Sequence, residues 1–189
     1  MRKNLEGLNM NLICKLNDED IGEKYFELKN PELRISARGI VIRDDGKIAI
    51  FNKVNKNEYK LPGGGIENNE KPEETFKREV LEETGCIIKI VANLGFTEEY
   101  KYQTNFRQIS NVFVGKLIED TKQFNFTQKE KDEGARLLWK MPEKALELIT
   151  NCYENIVKSD YESVYMTKFV VLRDRKILEY YIDNYKDKL

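Results

Sequence analysis

Three consecutive glycines, Gly63, Gly64 and Gly65, stand between a β-branched segment and a stretch with helical punctuation, and this junction constrains the fold more than any other part of the chain. Pro72 suits a first helical turn, Glu73 and Glu74 suit the positive end of the helix dipole, and Gly85 suits a left-handed stop. The spacing therefore predicts a helix over Pro72 to Thr84, with Phe76 and Val80, four residues apart, on its buried side. Upstream, Ile35 to Arg43 and Lys47 to Val54 are rich in β-branched residues and flank Asp44-Asp45-Gly46, good hairpin chemistry. Strands interleaved with few helices suggest α+β, or a mixed sheet between helices.

The rest of the chain adds elements to that frame. Cys86 to Ala92, Phe106 to Leu117 and Leu137 to Lys140 read as strands, and Glu143 to Thr150 as a helix beginning after Pro142. Residues 161–189 carry Ile177, Leu178, Tyr181, Ile182 and Tyr185 at helical spacing, which predicts a C-terminal helix on the same domain. Residues 1–32 read as an N-terminal extension with a short strand near Leu12 to Leu16 and a helix opened by Asp18 as N-cap. The main domain is then 33–160. No repeat or low-complexity tract divides the chain, and its 189 residues suit one domain.

Within the helix, Glu82 lies about 60° from Glu79, and Glu83 about 40° from it on the other side, so three carboxylates share one face. Solvent, basic partners or a hard cation with oxygen ligands can relieve that repulsion. Glu70 precedes the helix and could join the cluster, with Arg78 placed to pair with it or with Glu74. The chain has no histidine, which excludes imidazole catalysis and His-ligated zinc. Its three cysteines, Cys14, Cys86 and Cys152, form no CxxC pair and read as reduced thiols of a cytoplasmic protein. Lys and Arg total 32 against 33 Asp and Glu, a net charge of −1 that argues against bulk nucleic-acid binding. No apolar run is long enough for a signal peptide or a membrane span.

The stretch from Gly64 to Cys86 resembles, position for position, the signature of Nudix hydrolases of the MutT-like kind. It has Gly64, Glu70, Arg78 and Glu79, the apolar Val80, then Glu82, Glu83, Gly85 and Cys86. The resemblance extends to the hairpin from Arg34 to Lys53 and to Gly134 through Leu148. It implies a Nudix α/β/α sandwich and Mg²⁺- or Mn²⁺-dependent hydrolysis of a pyrophosphate bond in a nucleoside diphosphate linked to a group X. By the same resemblance Gly64, Glu79, Glu82 and Glu83 are the metal ligands, Gly64 through its carbonyl, and Arg78 orients the glutamates. Many relatives have Gly where Asn69 stands and Thr or Ser where Lys71 stands; Cys86 is smaller than their usual residue.

Two bases compete on this reading: Glu79 on the helix, or an acid on a later loop, where Glu130, Asp132 and Glu133 are the candidates, Glu133 is the first choice, and Glu98 and Glu99 are outsiders. Glu133 is expected on a mobile loop. Arg38, Lys53 and Lys60 are candidates for phosphate contacts and Tyr59 for stacking on a base. The expected partner is a nucleotide-type small molecule, handled by a monomer or homodimer. Tyr100 and Tyr102 lie where relatives that cleave dinucleoside polyphosphates carry a tyrosine. No proline occurs from Cys86 to Met141, where ADP-ribose-cleaving relatives often have one, which leans away from that substrate. Nucleoside triphosphates, dinucleoside polyphosphates and nucleotide sugars remain open. A non-catalytic Nudix module that binds a nucleotide or RNA is the alternative, although such a module would be free to lose the carboxylates, and this chain keeps them all.

Overall fold

The computed structural model describes residues 11–67 and 69–188. The first ten residues of the N-terminal extension, Asn68 and Leu189 lie outside that range. One mixed sheet organises the chain, with strands β1 (Leu12–Leu16), β2 (Glu32–Ile42), β3 (Ile48–Lys53), β4 (Glu58–Lys60), β5 (Gly63–Gly65), β6 (Cys86–Lys101), β7 (Phe106–Asp120) and β8 (Ala135–Lys140). Its order is β1-β6-β7-β2-β3-β4, with β5 paired to β2 and β8 to β3. The β2–β7 pair runs parallel from Glu32↔Phe106 to Ile42↔Lys116, while β6 and β7 are antiparallel. Residues 12–16 add β1 to the β6 edge in parallel, so part of the N-terminal extension belongs to the sheet.

Helices cover both faces. Helix α1 (Pro72–Thr84) begins with Pro72, the Lys71 N–H donates 2.9 Å to Glu74, and Gly85 closes it at φ 67°. The helix buries Phe76 and Val80 among Ala37, Val41, Ala49, Cys86 and Phe113. The rings of Phe76 and Phe113 stack with centroids 5.8 Å apart. A short helix, α2 (Gln128–Asp132), leads to β8. On the opposite face, α3 (Pro142–Glu154) and α4 (Val164–Asn184) enclose Ile149, Val171, Ile177 and Leu178 with Ile40, Ile48 and Ile50. Helices on both faces of a mixed sheet match the sandwich that the resemblance implies. The helix expected after residue 17 is a single 3₁₀ turn, Asp18–Ile21, and its cap is Asn17, not Asp18. Asp18 is buried instead, where its carboxylate accepts from the Tyr102 N–H and the Tyr165 hydroxyl.

Candidate active site

Gly63, Gly64 and Gly65 form β5 against Ser36, Ala37 and Arg38 of β2, which brings the glycine backbone hard against two neighbours. Gly63 sits at φ 143°, and a Cβ there would lie 2.5 Å from Arg38 Cα and closer still to the Ala37 carbonyl. Gly64 has no such backbone demand. A Cβ on it would meet the Glu79 carboxylate, 2.6 Å from Oε2 and closer to Oε1, so the carboxylate rests directly on the Gly64 main chain.

Arg78 gathers the acids around that point. Its Nε donates to Glu70 Oε1 at 2.8 Å and its Nη2 to Glu70 Oε2 at 3.0 Å and to the Gly65 carbonyl at 3.1 Å. Its Nη1 donates to Glu79 at 2.8 Å and to Glu82 at 3.2 Å. One guanidinium thereby fixes three carboxylates and the loop, a use of its rigid donor fork that lysine could not reproduce. Glu83 is buried and accepts from Lys60 Nζ and from the Gly63 N–H, both at 2.8 Å. Burial opposes the Lys60 ammonium, but Glu83 outweighs it and holds the lysine above its ordinary pKa. Burial also raises the Glu79 carboxyl, and Arg78 only partly counters it.

A cleft of about 360 Å³ opens over these groups and is lined by Gly64, Glu79, Glu83, Lys60, Arg38 and Glu130. Glu82 does not line it; that side chain turns towards Arg78. Among the described residues no three Asp, Glu or Cys side chains already converge as a ligand set. The donor chemistry nevertheless fits a hard divalent cation. Glu70, Glu79, Glu82 and Glu83 supply four negative charges against two positive ones on Arg78 and Lys60, leaving two uncompensated beside the Gly64 backbone.

Four of the residues that the sequence put forward for the site lie elsewhere. Glu133 is 4% exposed, its carboxylate 2.8 Å from Lys53 Nζ and accepting from the Ser159 hydroxyl, so it is pinned rather than mobile. Burial raises its carboxyl, but Lys53 and Ser159 more than offset this and hold it below the ordinary glutamate value. Lys53 is consumed by the same contact and by Glu58 at 3.6 Å, which removes it from phosphate binding. Tyr59 packs against the core formed with α3 and α4 and leaves no ring face in the cleft. Tyr100 bonds to Glu98 and is also absent from the cleft.

Sequence reasoning missed Arg34, Lys101, Gln108 and Arg173, all of which line the cleft. The adjacent Arg173-Asp174 pair, set between Phe169 to Leu172 and Ile177-Leu178, was the available signal: charges inside an apolar helical run are rarely placed there without buried partners.

The NUDIX domain family model matches residues 32–158, well over half of the chain. The chain belongs to the Nudix family. It is 27% identical over 128 residues to a MutT-like protein of Streptomyces ambofaciens, a match covering 67% of this chain and 77% of that protein. It is 33% identical over 99 residues to an ADP-ribose pyrophosphatase of Methanocaldococcus jannaschii, covering 51% of this chain and only 57% of the relative. An RNA pyrophosphohydrolase of Halorhodospira halophila is 37% identical over 71 residues, 37% of this Nudix chain and 39% of its own length. A Nudix hydrolase structure from Nitrosomonas europaea superposes with a TM-score of 0.52 at 15% identity, covering 77% of this chain and 92% of that one, which establishes the shared fold. Among the described residues no helix is long and apolar enough to cross a membrane.

Proposed function

We propose that this Nudix protein is a pyrophosphohydrolase that uses water to cleave the phosphoric anhydride bond of a nucleoside diphosphate linked to a group X. The observation that carries the reading is the Glu79 carboxylate seated on the Gly64 backbone in a cleft that Arg34, Arg38, Lys60, Lys101 and Arg173 line together with further glutamates. Clustered carboxylates repel a diphosphate, so Gly64, Glu79, Glu82 and Glu83 are assigned to a divalent cation, Mg²⁺ or Mn²⁺. When bound, that cation supplies charge neutralisation at the phosphoryl oxygens and lowers the pKa of an attached water.

The protein's own groups do the rest. Arg78 holds Glu70, Glu79 and Glu82 around one guanidinium, so the acids are gathered beside the glycine loop before substrate arrives. Lys60 and Arg38 present positive charge to the phosphates. For the proton of the attacking water, Glu79 and Glu130 face the cleft, whereas Glu133 does not. Glu130 stands on α2, where it is held by the Thr127 N–H and hydroxyl at 2.8 and 2.9 Å. The names of three relatives, a MutT-like protein, an ADP-ribose pyrophosphatase and an RNA pyrophosphohydrolase, support anhydride cleavage and leave X open.

The test is a screen of nucleoside triphosphates, dinucleoside polyphosphates, nucleotide sugars and ADP-ribose with Mg²⁺ or Mn²⁺, resolving products by chromatography. Metal-dependent release of a nucleoside monophosphate or of phosphate is the expected result. Nucleotide binding without turnover of any of them would replace the enzyme by a binding module.

A further inference from the structure

The floor of the cleft is built by different elements from its carboxylate wall. Arg38 comes from β2, Lys101 and Gln108 from the ends of β6 and β7, and Arg173 from α4, a helix that begins beyond the residues matched by the family model. All four are more than nine-tenths buried. Their internal partners are two carboxylates. Arg173 donates to Asp174 at 2.8 Å and to Glu99 at 3.5 Å, Lys101 to Glu99 at 3.4 Å, and Arg38 lies 3.7 Å from Asp174. Three cations thus face two anions, and Asp174 is further committed to the Leu61 N–H at 2.9 Å.

The surplus charge coincides with unused donors. Arg38 Nε and Arg173 Nη2 are buried and have no hydrogen-bond acceptor among the described residues. Glu99 Oε1 is also unpartnered, but Glu99 does not line the cleft. Burial next to Arg173 lowers the Arg38 guanidinium to about 10, which still leaves it charged near neutrality. Gln108 is not free to read a ligand, because its carbonyl accepts from Lys101 at 3.3 Å while its amide donates to Ser36 and Ser110. It positions the lysine. Among the described residues no aromatic side chain lines the cleft, so the floor offers a nucleobase no stacking surface.

We propose that Arg38, Lys101 and Arg173 form an oxyanion-binding floor that takes a phosphate of the group X, so that X is phosphate-bearing rather than a neutral sugar. The proposal deepens the hydrolase reading and rests on it for the placement of X. Buried guanidinium donors left without an acceptor are satisfied by an anionic oxygen, and a surplus positive charge in a site of low dielectric attracts one.

The probe is inorganic pyrophosphate, titrated calorimetrically into the whole protein in EDTA so that no cation mediates binding. Wild type should bind it, Lys101→Gln and Arg173→Gln should each weaken binding at least tenfold, and Arg173→Lys should lose less than Arg173→Gln. Absence of binding to wild type, or equal binding by folded Lys101→Gln, would overturn the proposal. If Arg173→Gln fails to fold by circular dichroism, Lys101→Gln decides alone. In kinetics with Mg²⁺, Lys101→Gln should lower the ratio of kcat/KM for a nucleoside triphosphate to that for a nucleotide sugar at least tenfold. A merely structural loss would depress both substrates alike, and an unchanged ratio would sink the assignment. Should no substrate be hydrolysed while pyrophosphate binding follows the variants, the floor stands and the hydrolase reading falls.

Discussion

Substituting Gly64 by alanine separates the chemistry of the site from the stability of the fold. The added Cβ would lie 2.6 Å from Glu79 Oε2 and closer still to Oε1, well inside the 3.4 Å of ordinary contact, so the carboxylate must retreat by about 1 Å. The displaced atoms are the far end of a helix side chain, which can rotate away. Gly64 also has no left-handed backbone requirement, and replacing Gly by Ala at a compatible position changes stability by only about 0.4–1 kcal/mol, in the stabilising direction. A reacting or ligating group misplaced by about 1 Å loses roughly 10²-fold in rate, or about 2.7 kcal/mol of transition-state stabilisation. Steady-state hydrolysis of the best substrate across a Mg²⁺ titration should therefore show kcat/KM reduced roughly ten- to a hundredfold and a raised half-saturating Mg²⁺ concentration. Urea unfolding should stay within about 1 kcal/mol of wild type. Wild-type kcat/KM with an unchanged Mg²⁺ dependence would refute the placement of Glu79 on Gly64 as the heart of the site.

Gly39→Ala makes the opposite case: its Cβ would come within 2.9 Å of the Phe113 backbone nitrogen, 2.8 Å of its carbonyl carbon and closer to the oxygen, in the middle of the β2–β7 pair. Backbone cannot rotate away, and a loss of about 3 kcal/mol or more in urea unfolding is expected, at the upper end for overpacking. Removing divalent cations with EDTA should abolish hydrolysis, with Mg²⁺ or Mn²⁺ restoring it; turnover that persists in excess chelator would remove the metal from the mechanism. Glu133→Gln should lower stability by about 2 kcal/mol through loss of its bond to Lys53, with kcat changed less than twofold in enzyme that remains folded. Since the folded carboxyl titrates below the unfolded value of about 4.3, its stabilisation is present above that pH and fades as pH falls. The variant's deficit should accordingly shrink from pH 7 to pH 3, and a pH-independent deficit would contradict the ion pair. Glu130→Gln should reduce kcat at least tenfold with little change in Mg²⁺ dependence if the α2 acid is the base, whereas wild-type kcat would leave that role to Glu79.

The helix from Pro72 to Thr84 was readable to the residue because its signals are local: Pro72 at the start, Gly85 at the stop and Phe76 and Val80 on one side. Strand β6 was not. Its alternation fails after Ala92, where the pairing with β7 shifts register between Ile90 and Ala92 and again between Asn93 and Gly95, and the strand continues unannounced to Lys101. Lys53 and Tyr59 look like solvent-facing strand residues, but β3, paired with β4 and β8, is buried along its whole length with the Lys53 charge balanced by Glu133 and Glu58, and Tyr59 on β4 packs against the core. The motif located Gly64, Arg78, Glu79 and Glu83 because they share one short segment. Arg38, Lys101 and Arg173 meet only through tertiary structure, and no spacing rule links positions so far apart in the chain.

The parallel pairing of β2 with β7 also fixes the order in which this cleft can come into being. Arg38 lies opposite Val112, so the strand that carries the first cleft arginine, like the glycines paired to it, waits for a partner from much later in the chain. Local structure such as α1 can form early, but closing a loop of that size demands entropy that only the completed sheet returns. On a ribosome adding about 5–20 residues each second, Gly64 and Glu79 emerge seconds before the strand that braces them. The floor waits longer still, since Arg173 stands in the middle of α4. A nascent chain therefore displays its acidic helix well before it owns a cleft, and the floor is complete only once α4 has been made.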